Sequence, residues 1–324
     1  MVKKFRPVRK RILITGIHGF IGSSLVRFIE NHYSQYEIFG ISKNVDKKKY
    51  VFTLDVANSK KLSMALKEIK PDFIFHLAGG RQNSDDRIFS SNFLTTRSLL
   101  KSVEKISGFN PRIIIPGTAA EYGKIGDSRK LVKESDFAQP VSWYGFVKYM
   151  QTSLSLMYAS RGLNIVVVRM FNISGVGVPS GLSLGKFAQE IALIEKGRKP
   201  AIMETKNLGG RRDFVDIADA CSALMKIAER GKSGEIYNIC SGRGYAVRDL
   251  LSQLLAIARA GHIKIKEDKH NSSESFDIIG SNAKLRRTIF WQPTIKIEQS
   301  LQNTLDYYRE FLGTNSKDAH TNCP

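Results

Sequence analysis

The sequence predicts an α/β protein: a Rossmann-type, doubly wound parallel sheet with a smaller α/β C-terminal domain. Three observations lead there. Short apolar runs alternate with helical segments over the first 172 residues. Those runs are apolar at successive positions rather than every second one, which buries both faces of each strand, as in a parallel sheet covered by helices. The first run ends in a glycine-rich turn that opens a helix.

Taken in order, "RILITG" (11–16) is the first strand and "HGFIGSSLVRFIENH" continues with helical spacing. "EIFGIS" (37–42) and "YVFTLDV" (50–56) read as strands. "SKKLSMALKEIK" (59–70) is a helix with Ser59 near its cap and Pro71 closing it. "DFIFHLAG" (72–79), "RIIIPGT" (112–118) and "LNIVVVRMFN" (163–172) are further strands, separated by helical segments around 90–106 and 143–160. After Asn172 the pattern loosens. "ISGVGVPSGLSLG" reads as a long loop, with a helix at about 186–196. "RRDFVDIADACSALMKIAER" holds a short strand and a helix, and "GEIYNICSG" another strand. An amphipathic helix in "YAVRDLLSQLLAIARA", a short strand "HIKIKE" and a closing helix "IEQSLQNTLDYYREFL" complete the chain. The expected domains are 1–172, with 214–238 returning to it, and 173–213 plus 239–324.

The composition is globular, with 42% hydrophobic and 25% charged residues in 324. Cys221, Cys240 and Cys323 show no paired spacing, and the six histidines no metal-ligand spacing. The expectation is therefore a cytoplasmic protein without a metal. No apolar run is long enough to span a bilayer, so no membrane partner is expected. "MVKKFRPVRKR" reads as a solvated basic leader without an apolar signal core, and "GTNSKDAHTNCP" as a frayed polar tail. Fifty Lys and Arg against thirty Asp and Glu give a formal charge of +20, which points to an anionic partner. The charge is scattered, with no aromatic-interleaved basic stripe, so the expected anions are nucleotides rather than nucleic acid.

"TGIHGFIGSS" sets Gly16, Gly19 and Gly22 between the first strand and the first helix. Gly16 permits the tight turn, Gly19 lets backbone approach a pyrophosphate, and Gly22 lets the helix pack close to the strand. The helix N-terminus then faces the phosphates of a dinucleotide. His18 lies in the same loop and receives no role. Where NAD-binding proteins end the second strand with a carboxylate for the 2′-hydroxyl, this chain has Ser42 and Lys43. A hydroxyl and an ammonium suit a 2′-phosphate, which favours NADP(H) over NAD(H). The competing account is a surface lysine, with Asp46 reaching back. Asp55, ending the third strand, either accepts from the adenine amino group or caps the helix that follows.

"SWYGFVK" (142–148) places Tyr144 and Lys148 four apart, on one face if the segment is helical. Alone, the pair reads more simply as a core tyrosine beside a solvated lysine. Its surroundings change that. "TGIHGFIG", "FHLAG", "PGTAAEYG" and "YGFVK" stand in order, followed by "RMFNISGVG", "RRDFVDIADA" and "FWQP". Together they resemble the extended short-chain dehydrogenase/reductase family in its nucleotide-sugar branch, over nearly the whole chain. The likeness is nearest to its GDP-4-keto-6-deoxy-mannose reductases and related NDP-hexulose reductases.

The resemblance implies a trio: Tyr144 gives or takes the proton, Lys148 holds the nicotinamide ribose and favours the phenolate, and Thr118 hydrogen-bonds the substrate oxygen. It agrees with the chemistry, because a ketone reduced by hydride needs a proton as charge develops on its oxygen. A cation one turn from a phenol favours ionisation. The resemblance also implies cofactor contacts at Phe20, Ile21, Val56, Leu77, Ala78 and Gly79. It places Asn172 and Arg212 on the substrate diphosphate; Lys186, opening the helix after the glycine-rich loop, is a further, weaker candidate for phosphate. A guanidinium suits a phosphate, although Arg212 has an alternative partner in Asp213 or Asp216.

Two departures matter. Val147 replaces the serine common before the lysine, outside the proton path. Ala119 and Ala120 stand where related 4,6-dehydratases carry an acid, and Glu121 is displaced by one position. The expectation is therefore NADPH-dependent reduction of a nucleotide-linked 4-keto-6-deoxy-hexose, in deoxysugar or lipopolysaccharide synthesis, by a homodimer. The alternatives are a 4-epimerase with retained NAD and a non-catalytic NADP-binding protein on the same fold.

Overall fold

The computed structural model describes residues 9–46, 48–124, 130–206, 208–268 and 277–314. The basic leader through Val8, and the polar tail from Asn315 with Cys323, lie outside the described residues.

The chain begins β1 (Lys10–Thr15), α1 (Phe20–His32), β2 (Tyr36–Ser42), β3 (Val51–Thr53), α2 (Ser59–Ile69) and β4 (Phe73–His76). The next segment is α3 (Asp85–Phe89), a π-helical turn (Ser90–Leu94) and α4 (Thr95–Glu104), then β5 (Arg112–Thr118), a 3₁₀ turn (Ala119–Glu121), α5 (Trp143–Ser160) and β6 (Ile165–Met170). It continues with β7 (Asn172–Ser174), α6 (Ser183–Glu195), β8 (Ile202–Lys206), β9 (Arg211–Asp216), α7 (Ile217–Arg230) and β10 (Ile236–Ile239). It closes with β11 (Gly244–Ala246), α8 (Val247–Ile257), β12 (Lys264–Asp268), α9 (Ala283–Thr288) and α10 (Ile297–Thr314).

Seven strands form one sheet in the order β10-β6-β5-β4-β1-β2-β3. The order reverses about β1, which is the doubly wound arrangement expected. β1 pairs in parallel with β2 and β4, with Thr15 opposite Ile41 and His76. Every residue of β4 and β6 is buried, as their unbroken apolar runs require. Smaller sheets run β11-β9-β7 and β12-β8.

The chain divides into two compact units: residues 1–117, 146–168 and 224–236, and residues 118–145, 169–223 and 237–324. The boundaries therefore differ from 172, 214 and 238. Residues 118–145 go to the second unit because their bonds run to its later segments. Tyr122 donates to Asn238 (2.7 Å), and the Val132 amide bonds the Ile279 carbonyl (2.8 Å). In the first unit Leu13, Ile74, Ile113 and Val167 pack with Leu66 and Leu99. The second unit has its own core around Phe187, Leu250, Leu301 and Tyr308.

Other departures have local causes. "LNIVVVRMFN" is two strands, broken at Phe171 where the chain changes sheets. The expected loop after Asn172 opens with the rest of β7, while α6 begins at Ser183. β8 was not anticipated, although "IMETK" alternates exposed and buried residues, the period of a strand. The helix expected over 90–106 contains the π turn, where Thr95 and Thr96 hydroxyls bond the carbonyls of Ser91 and Asn92 at 2.6 and 2.7 Å. Such back-bonding competes with helical hydrogen bonds. α2 is capped by Asn58, which accepts from the Lys61 amide, rather than by Ser59.

Candidate active site

In the first unit, the turn from β1 to α1 has the features a pyrophosphate cradle needs. Gly16 has φ +69°, and a Cβ there would lie 2.8 Å from the Ala78 nitrogen. A Cβ on Gly22 would lie 2.2 Å from the Gly16 carbonyl oxygen, so only glycine lets α1 pack here. Gly19 is the N-cap of α1, without a side-chain cap or an acid in the first turn. The first amides of α1 thus have no competing carboxylate, which fits a bound phosphate. Phe20 and Ile21 open the helix and are half-buried. His18 is not a bystander: its Nε2 lies 3.0 Å from Asp46 Oδ2, tying the glycine turn to the loop after β2.

At the end of β2, Ser42 is buried and its hydroxyl accepts from the Asn44 amide (3.0 Å). Lys43 is ion-paired with Asp55 at 2.9 Å. Asp55 also accepts from the Ala57 amide, and so turns the chain without capping α2. Burial pushes the Asp55 carboxyl up, but the Ala57 amide and Lys43 outweigh it and hold it below its ordinary value. Val56, beside it, is buried.

β4 delivers Leu77, Ala78 and Gly79 next to the glycine turn, with the Leu77 amide on the Thr15 carbonyl (3.1 Å). Gly79 has φ +126° and leaves no room for a Cβ beside Asn92. Asn92, which sequence reasoning missed, accepts from the Gly80 amide and donates to the Gly80 and Ile88 carbonyls at 2.8–2.9 Å. His76 is fully buried between Thr15 (2.9 Å from Nδ1) and Thr96 (3.0 Å from Nε2). Burial first, and the Lys148 charge second, push its imidazole down to about 3.

Lys148 lies on α5 and is only 4% exposed. Its ammonium donates to the Pro116 carbonyl of β5 and to the Gln151 side chain. Gln151 in turn donates to Thr96 Oγ1 (2.8 Å). The lysine is therefore not a solvated neighbour of a core tyrosine. Val147, at the serine position, is fully buried.

In the second unit, Thr118 and Glu121 form a capping box around the 3₁₀ turn. Glu121 accepts from the Thr118 amide (2.8 Å) and pairs with Arg169 (2.8 Å), with both side chains buried. Both its oxygens are thus engaged. Arg169 also stacks on Tyr122, 4.5 Å from the ring centroid, and burial pushes that phenol up to about 12. Tyr144 is half-buried in the first turn of α5, next to Gly145. A Cβ on Gly145 would sit 2.5 Å from the Ala120 carbonyl oxygen. This close approach brings Tyr144 beside the turn that begins at Thr118. The glycine inside "YGFVK" was the overlooked signal.

Asn172 and Arg212 meet in the three-stranded sheet, where Asn172 pairs with Phe214 in register. Asn172 donates to the Asp213 carbonyl (2.8 Å). Burial pulls the Arg212 guanidinium down, opposed by Asp277. The carboxylates weighed as alternative partners are engaged elsewhere: Asp213 accepts from Ser241 and the Gly242 and Gly280 amides, and Asp216 from Ser300 and the Ala218 amide. Lys186 bonds the Glu204 carbonyl (3.1 Å) and lies 3.8 Å from Glu190, so its amine is directed to β8.

The NAD dependent epimerase/dehydratase family model matches residues 12–240. The chain belongs to this enzyme family. Similar members are nucleotide-sugar enzymes. The GDP-6-deoxy-D-mannose reductase of Pseudomonas aeruginosa is 27% identical over 304 residues, 91% of this chain and 96% of that one. The GDP-6-deoxy-D-talose 4-dehydrogenase of Aggregatibacter actinomycetemcomitans is 29% identical over 263 residues, covering 80% and 83%. Among solved structures, RMD from Pseudomonas aeruginosa complexed with NADPH superposes with a TM-score of 0.84 at 26% identity, over 93% of this chain and 99% of that one. The family and fold expected from the motifs are thus met.

Two outcomes test the geometry of this epimerase/dehydratase family member. Gly145→Ala should destabilise by about 1–3 kcal/mol in urea unfolding, through overpacking against Ala120. Helix propensity alone would stabilise it by about 1 kcal/mol. The depressed His76 adds stability that is complete above its unfolded pKa of 6.5 and is lost as pH falls toward 3, because the unfolded chain takes the proton first. Between pH 6.5 and 5 the wild type should lose about 2 kcal/mol more than His76→Gln. Equal losses would show that His76 does not stay neutral.

Proposed function

We propose that the protein reduces a nucleotide-linked 4-keto-6-deoxy-hexose to the 6-deoxyhexose with NADPH. We place it in the cytoplasm, as a homodimer serving deoxysugar or polysaccharide synthesis. The observation that carries the reading is the surroundings of Thr118. Ala119 and Ala120 cannot move a proton, and Glu121 is bound on both oxygens. Dehydration needs an acid or base beside the sugar's C5 and C6, and the residues directly after Thr118 supply no uncommitted one. Besides the hydride of NADPH, reduction needs only a proton for the carbonyl oxygen, which Tyr144 supplies.

Bound NADPH would supply the hydride. Gly16, Gly19 and the first turn of α1 would hold its pyrophosphate. Val56, Leu77, Ala78 and Gly79 would line its adenosine side, and Ser42 and Lys43 its 2′-phosphate. Lys43 has to exchange the Asp55 carboxylate for that phosphate, a like-for-like exchange of anions. Thr118 donates to the ketone oxygen, and Tyr144 hands it the proton as negative charge develops. Lys148, one turn along α5, holds the nicotinamide ribose and favours the phenolate that Tyr144 leaves. Arg212 and Asn172 bind the diphosphate, with Lys186 at the edge. The NADPH-bound RMD structure and the two GDP-deoxysugar relatives support the cofactor and substrate class.

The assay follows NADPH absorbance with GDP-, CDP-, UDP- and dTDP-linked 4-keto-6-deoxy-hexoses. Oxidation with at least one is expected, and Tyr144→Phe should lower kcat about 10²–10⁴-fold. No oxidation with any, or tightly held NAD with no net consumption, overturns the reductase in favour of a binding protein or an epimerase. Lys43→Ala should raise KM for NADPH about five- to tenfold while KM for NADH stays constant; equal changes would remove Lys43 from the 2′-phosphate site.

A further inference from the structure

We propose that Gln151 is a positioning residue for Lys148, the end of a one-way hydrogen-bond chain that sets the ammonium against both cofactor loops. The inference rests on the reading of Lys148 as the residue that holds the nicotinamide ribose.

Proton accounting fixes the direction of every bond. An ammonium only donates, so Gln151 must turn Oε1 to Lys148 and Nε2 away from it. Nε2 donates to Thr96 Oγ1 (2.8 Å), and that hydroxyl spends its own proton on the Asn92 carbonyl (2.7 Å). The second lone pair of Thr96 must therefore accept from His76 Nε2 (3.0 Å), which makes His76 the neutral Nε2–H tautomer. Its Nδ1 then accepts from Thr15 Oγ1 (2.9 Å), and Thr15 accepts from the Ala78 amide (3.2 Å). Thr15 precedes Gly16, and Ala78 lies in the second expected cofactor loop.

Gln151, Thr96, His76 and Thr15 are all at most 1% exposed, so water cannot replace a lost partner without opening the core. Reversing any member leaves two donors or two acceptors facing each other. The chain therefore has one low-energy state, which holds the lysine head in register with Ala78 and the glycine turn. Pro116 supplies the second anchor. Gln151 needs both an acceptor and a donor on one planar group of this length. Methionine, similar in length, supplies neither in useful strength.

The test is a double-mutant cycle read by NADPH affinity, from fluorescence titration of the full-length protein. Gln151→Met should weaken NADPH binding about tenfold while the melting temperature moves by only a few degrees. In a Lys148→Met background the same substitution should change the affinity less than twofold, because its effect passes through the ammonium. Thr96→Val, one bond further along, should act in the same direction and more weakly. In turnover, KM for NADPH should rise while KM for the nucleotide sugar stays constant. If Gln151→Met does not fold, Gln151→Asn replaces it in the cycle: it keeps the planar amide but is one methylene too short to meet Lys148 and Thr96 together, and should show the same coupling. Unchanged NADPH affinity in a folded variant, or equal losses with and without Lys148, overturns the positioning role. A wild type that binds NADPH but reduces no nucleotide ketone sinks the proposed reaction and leaves this result standing. A wild type that does not bind NADPH sinks both.

Discussion

A buried ammonium is the constraint on which the candidate site depends. Taking one charged group out of water costs several kcal/mol unless its protons are met. Lys148 is buried on α5 and meets a backbone carbonyl of β5 and the amide of Gln151. The carbonyl belongs to Pro116, a residue that cannot donate to a sheet ladder. The pairing of β4 with β5 ends at Phe75 and Ile114, two residues earlier, so the missing N–H costs no bond there. Through Gln151 and Thr96 the hydrogen bonds run on to His76, whose imidazole is pushed down first by burial and second by the Lys148 charge.

A second buried charge is handled differently. Glu121 and Arg169 pair with both side chains buried, and Glu121 also holds the amide of Thr118. A carboxylate engaged on both oxygens acts as a fastening for the turn. The alanines before it give the start of α5 a smooth surface to approach, and Gly145 removes the last obstruction. A charge serving as scaffold and a pair of small residues together shape the turn after Thr118.

The central strands β1, β4, β5 and β6 were legible in the sequence because burial on both faces leaves an apolar run. β7 and β11 were not, because three residues carry no period of their own. The π turn was hidden for another reason: Thr95 and Thr96 bond the carbonyls behind them in a segment where Asn92 also reaches the distant Gly80, and no local period records that. In the site, Gly16 and Gly22 were legible because a positive φ and a close approach are local demands. Lys43 and Asp55 were each noticed, but their ion pair was not, since it joins the ends of two strands.

The sequence by itself determined the alternation of strand and helix, the glycine turn, the spacing of Tyr144 and Lys148 on one helix, and the absence of an acid directly after Thr118. Each follows from backbone geometry or residue chemistry over a few neighbouring positions. Only the tertiary structure decided what each polar group does with its protons. Gln151, Thr96, His76 and Thr15 are separated by up to 136 positions in the chain and stand in one line of hydrogen bonds. A donor finds its acceptor through packing, and packing is a property of the folded chain rather than of any stretch of it.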